Sequence, residues 1–123
     1  MITRIHHVMF MVEHMDRALA FYRDVLGMKV DYSSEYFSMV ECDRSFIGLH
    51  WSEGRPMPEQ QDYGHDNRSG TVSLEVDDID TEVARLRGLK VQFLGEISRN
   101  PWWDDVAFAD PDGNLLRLVR PKA

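Results

Sequence analysis

A chain of 123 residues is about one domain long and large enough to bury a core. Its 43% hydrophobic and 28% charged residues are ordinary for a soluble globular protein, and no apolar run approaches the roughly 20 residues of a membrane helix. A net charge of −7 argues against a nucleic-acid partner, which needs a basic face, and a single cysteine, Cys42, rules out an intrachain disulfide and agrees with a reducing cytoplasm.

The opening "MITRIHH" passes straight into a strand pattern, without the basic, apolar and small-residue order of a signal peptide. Residues 5–12, "IHHVMFMV", read as a strand whose alternation puts His6 and His7 on opposite faces. "HMDRALAFYRDVLG" follows, with Met15, Ala18, Leu19, Tyr22, Val25 and Leu26 forming one stripe of an amphipathic helix. Asp16 suits the first turn of that helix, and Gly27 suits the left-handed residue beyond its end. Within 28–51, "KVDYSS", "YFSMVEC" and "SFIGLHW" read as strands divided by polar turns, with Cys42 expected as a buried thiol. Residues 52–69, "SEGRPMPEQQDYGHDNRS", have the Gly, Pro and polar content of a linker. His14 and His65 are expected to be exposed, and Arg4, Arg44 and Arg55 to be solvated charges.

The second half repeats the first. With Thr71 laid on His7, Val72 falls on Val8, Leu74 on Phe10, Val76 on Val12, Ile79 on Met15, Asp80 on Asp16 and Ala84 on Ala20. "GLKV" at 88–91 then lies on "GMKV" at 27–30 after a short deletion. Strands at "KVQFLGE", "DDVAFAD" and "NLLRLVR" complete the unit. The fold expected is α+β: two tandem βαβββ modules, 1–51 and 70–123, forming a curved mixed sheet around a central cavity with helices outside. Before the last strand, "DPDGN" is a turn in which Pro111 presets φ and Gly113 supplies a positive one.

"IHHVMFMVEHMDRALAFYRDVLGMKV", "VSLEVDDIDTEVARL" and "FADPDGNLLRLV" together resemble the vicinal-oxygen-chelate superfamily, which includes glyoxalase I, extradiol dioxygenases, fosfomycin-resistance enzymes and bleomycin-resistance proteins. In metal-using relatives each module gives one ligand, usually His or Glu, from its first strand and one from its last. The resemblance carries these positions onto His7, Gly48, Thr71 and Arg117. Glycine has no side chain, the threonine hydroxyl is a poor ligand, and guanidinium has no lone pair and keeps its positive charge. The set cannot hold a divalent cation in the usual way, so no cofactor is predicted. A displaced set of His7, His50 and Glu75 has the composition non-haem iron favours. However, His50 stands one pleat repeat, roughly 6.6 Å, from the expected level, and Glu75 two repeats, roughly 13 Å.

Without a metal the cavity can still bind. Met9 and Met11 share the His7 face and suit irregular apolar ligands or simply fill a core. Tyr36, Phe37, Trp51, Trp102 and Trp103 are candidates for an aromatic wall. The adjacent tryptophans of "NPWWDD" either stack on a planar ligand or seal a core or dimer interface. Arg117 either binds a ligand carboxylate or phosphate or pairs with an internal acid such as Glu41 or Glu75. The resemblance to bleomycin-resistance proteins implies a metal-free homodimer that sequesters an antibiotic or other aromatic or cationic small molecule, although 52–69 carries no recognisable drug-contact pattern. The alternative is a metal-dependent lyase or dioxygenase using His7 with non-standard ligands. A third reading is a metal-free enzyme with His7 as general base.

Overall fold

The β-forming segments and the two amphipathic helices assemble as two α+β units. The computed structural model describes residues 1–57 and 70–122. Clustering of backbone contacts divides the chain into residues 1–58 and 59–123. Of the expected linker, 58–69, with His65, lies outside the described residues.

In the first unit β1 (Val8–Val12), β2 (Lys29–Tyr32), β3 (Phe37–Cys42) and β4 (Ser45–Trp51) form one sheet in the order β1-β4-β3-β2. Strand β1 runs parallel to β4, and the other pairs are antiparallel. Alternation splits the sheet into two faces. Val12, Val40, Ile47 and Leu49 are buried on one, where the helix packs, each contributing about 1.5–3 kcal/mol of burial. The predicted helix forms in two parts: α1 (Met15–Leu19) is α-helical, and Ala20–Val25 continues as a π-helix. The wider turn, closed by Leu26 N–H on Phe21 O at 2.9 Å, brings Phe21 inward beside Tyr22. Both are buried, so Phe21 joins an apolar stripe that a 3.6-residue period left it out of. Gly27 takes φ +79° just past this helix, as expected.

The second unit has the same plan. Strands β5 (Val72–Glu75), β6 (Gln92–Phe93), β8 (Trp103–Ala109) and β9 (Leu115–Pro121) follow the order β5-β9-β8-β6, with β7 (Ser98–Arg99) also on β8. The strand expected at "KVQFLGE" is thus a short β6, ending before Gly95 at φ +139°. Helix α2 (Ile79–Gly88) is capped by Asp78, whose Oδ1 accepts Thr81 N–H at 3.1 Å. It buries Ile79, Val83 and Leu86. The "DPDGN" turn is locked from inside. Buried Asp110 accepts the N–H groups of Asp112 and Asn114 on Oδ1 at 2.9 and 2.8 Å and the Asn114 side-chain amide on Oδ2 at 2.9 Å.

The two registers superpose. Val8 pairs with Ile47 and Val72 with Leu116, so laying His7 on Thr71 also lays Gly48 on Arg117. Two expectations fail. Strand β1 starts at Val8, not residue 5, so strand alternation does not govern His6 and His7. Cys42 is exposed, not buried, because it ends β3 at a tight hairpin where Asp43 and Arg44 take φ +46° and +67°.

Candidate functional site

On the helix-free face of the first unit, His7 lies over Gly48. A Cβ at position 48 would come within 2.9 Å of His7 Cδ2 and of Phe37 Cε1 and Cζ, so the missing side chain is what lets both rings close over β4. Phe37 meets the His7 ring at 5.8 Å and the His50 ring at 6.4 Å between centroids, forming a row His7–Phe37–His50. Met9 and Met11 follow His7 on this face, and Met39 pairs across from Gly48. His50 Nδ1 lies 2.8 Å from Trp51 O; since a carbonyl only accepts, Nδ1 carries a proton and donates it there.

His6 and His7 do not diverge. Their Nδ1 atoms approach to 2.8 Å and the rings meet edge-on at 5.1 Å. Two facing nitrogens at that distance share one hydrogen, so one Nδ1 donates and the other accepts.

On the helix-free face of the second unit, Arg117 stands opposite Ser73 in β5 and Ala107 in β8. Its Nη1 donates to Asp105 Oδ2 at 3.1 Å, and the two side chains are only 17% and 6% exposed. The internal acid is thus Asp105, in place of the expected Glu41 or Glu75. The register supplies the signal that would have found it, because β8 alternation carries Asp105 and Ala107 onto the Arg117 face. Trp103 falls on that face too and is 39% exposed, while Trp102 is 68% exposed. Asn100 Oδ1 accepts the backbone N–H groups of Trp102 and Trp103, which fixes the loop.

The donor sets do not fit a divalent cation. The first unit offers one imidazole at His7 and nothing at Gly48; the second offers the Thr71 hydroxyl and a guanidinium already engaged with a carboxylate. Among the described residues no three His, Cys, Asp or Glu side chains are grouped to hold a metal, His7, His50 and Glu75 included. Glu75 is exposed at the end of β5.

Trp51 and Tyr36 leave the predicted wall. Alternation turns Trp51 to the helix side, where its indole N–H donates to Glu13 O at 3.1 Å and its ring meets Tyr36 at 5.6 Å. There it helps line a cleft of about 530 Å³ with Glu13, His14, Asp16, Ser34 and Glu35. The repeat-related cleft in the second unit, about 560 Å³, is lined by Asp77, Asp78, Asp80, Asp104, Arg120 and Lys122. There Arg99 bridges Asp80 and Asp104 at 2.8 and 2.9 Å, and Lys122 meets Asp104 at 3.0 Å. Lys122, and then Arg99, hold the Asp104 carboxyl below the usual carboxylate range.

Two units in which the first strand runs parallel to the last, in matched register, define a duplicated α+β class of protein. The family model for the Glyoxalase/Bleomycin resistance protein/Dioxygenase superfamily matches residues 4–118, and the chain belongs to that superfamily. It is 29% identical to a lactoylglutathione lyase of Neisseria meningitidis, over 98% of this chain and 92% of that protein. It is 27% identical to a bleomycin resistance protein of Staphylococcus aureus, over 85% and 86% of the two chains. The genomically encoded fosfomycin resistance protein of Listeria monocytogenes has the same fold, with a TM-score of 0.80, 17% identity and coverage of 99% and 96%.

Proposed function

We propose that this chain binds a small molecule without a metal ion, sequestering an aromatic or cationic compound as resistance proteins of the superfamily do. One observation supports the reading: the matched registers lay Thr71 on His7 and Arg117 on Gly48, the positions that the family resemblance gives to ligands, and Arg117 is tied to Asp105. His7, Phe37, His50, Met9 and Met11 would supply the adaptable wall on one unit, and Arg117, Trp103 and Trp102 would meet the ligand on the other. We place the protein in the cytoplasm as a homodimer. The exposed thiol of Cys42 suits a reducing compartment, and exposed Ile2, Ile5, Val8 and Met9 give an apolar edge for a second copy.

Elemental analysis of protein purified without chelators tests the first part. Far less than one Ni, Zn, Fe or Mn per chain is expected, with no thermal shift when these ions are added. A retained stoichiometric metal overturns the reading. Light scattering checks the dimer.

The Neisseria relatives support a second reading, a metal-dependent lyase, because their names carry that activity and their alignment spans nearly all of this chain. It predicts turnover of lactoylglutathione with added Ni²⁺ or Zn²⁺, lost in His7→Ala. The first reading predicts none.

A further inference from the structure

The cleft between the start of α1 and the β2–β3 loop lies on the helix side of the first unit, away from His7 and Gly48. We propose that it is a second binding site, and that its ligand is an organic cation carrying an ammonium or guanidinium group. The inference does not depend on how the His7 face is used.

The volume, about 530 Å³, is that of a small-molecule site. Glu13, Asp16 and Glu35 bring carboxylates to it, and no Lys or Arg is among its described lining residues. Asp16 and Glu35 make no hydrogen bond or ion pair among the described residues. The Trp51 indole forms a wall, locked by its N–H on Glu13 O and backed by Tyr36. An indole face beside carboxylates attracts a cation twice over: the ring quadrupole favours positive charge, and the carboxylates supply the counter-charge.

The molecule contains its own comparison. Repeat alignment puts Asp80 on Asp16, and the matched β3–β4 and β8–β9 registers put Arg120 on Trp51 and Asp104 on Tyr36. In the second unit cations of the chain itself meet these carboxylates: Arg99 bridges Asp80 and Asp104, Lys122 meets Asp104, and Arg120 and Lys122 stand in the cleft lining. The carboxylate equivalent to Asp16 therefore already takes a guanidinium, at 2.8 Å. In the first unit the carboxylate remains, and aromatic rings stand where Arg120 and Asp104 stand in the second. One copy supplies cations of its own to Asp80 and Asp104, and the other leaves Asp16 and Glu35 open to a cation from outside.

The probe is choline, compared with its neutral isostere 3,3-dimethylbutan-1-ol, added to the full chain and followed by ¹H–¹⁵N NMR. Choline should shift the Trp51 indole N–H saturably, and the alcohol should leave it in place. Asp16→Asn with Glu35→Gln, both at exposed positions, should weaken choline about fivefold or more, and Trp51→Leu about tenfold. Asp80→Asn in the second unit should change nothing. Equal shifts with the alcohol, unchanged affinity in the double variant, or shifts confined to the His7 and Met9 region would each overturn the proposal. Whether the protein retains metal has no bearing on these outcomes, so the two readings fail separately.

Discussion

The two halves share strand order, register and turn positions, yet they solve the same places with opposite chemistry. In the first, Gly48 withdraws a side chain so that His7 and Phe37 can close over β4. In the second, the matching position carries Arg117, held by a carboxylate buried beneath it. The helix-side clefts differ in the same sense, aromatic and acidic in one half and saturated with ion pairs in the other. The lesson is that backbone register sets where side chains meet, while charge pairing decides what each meeting place can accept.

The comparison can be broken hardest at Arg117. Arg117→Ala strands Asp105, only 4% exposed, and should cost about 3–5 kcal/mol by chemical denaturation. Arg117→Met combined with Asp105→Leu should recover most of that, because replacing both partners leaves no buried charge. Asp110→Ala comes next. It removes the acceptor of two turn N–H groups and of the Asn114 amide, a loss of about 2–3 kcal/mol that the first unit's hairpin has no counterpart for. Gly48→Ala should cost about 1–2 kcal/mol, since the new Cβ must push the His7 and Phe37 rings away, and the histidine resonances should move with it.

Acid should separate the halves by the smallest effect. Asp104 is depressed by Lys122 and Arg99, and Asp78 by the Thr81 N–H it caps. A carboxyl lowered in the folded state stabilises above its unfolded value, about 3.9, and loses that contribution as pH falls through the folded value. Hydrogen exchange from pH 7 down to 2 should therefore show protection around α2 and β8 weakening once pH drops below about 4. Uniform loss across both units would remove the distinction.

Much of this was legible in the residues. The strand segments, Gly27 and the "DPDGN" turn follow from apolar periodicity and turn chemistry, which are local, and laying one repeat on the other matches Gly48 with Arg117. Trp51 could also have been placed: alternation from Gly48 and His50 already turns it to the other face. The π-helical turn was hidden because two adjacent aromatics, Phe21 and Tyr22, set the helical period by what they bury. The His6–His7 contact was missed because β1 begins only at Val8, so strand alternation did not apply. Asp105 needed the β8–β9 register, a long-range quantity.

The pairing of Arg117 with Asp105 also bears on descent. A lineage that exchanged Arg117 for an uncharged residue by a single change would first have to carry an uncompensated buried carboxylate at Asp105. The cost of about 3–5 kcal/mol is a large part of the 5–15 kcal/mol by which a typical domain stays folded. Change at position 117 is thus limited by folding, and the two residues are tied to one another. Ancestral reconstruction would find Asp105 and Arg117 entering together, and any relative with a ligand at the 117 position should lack the acid beneath it.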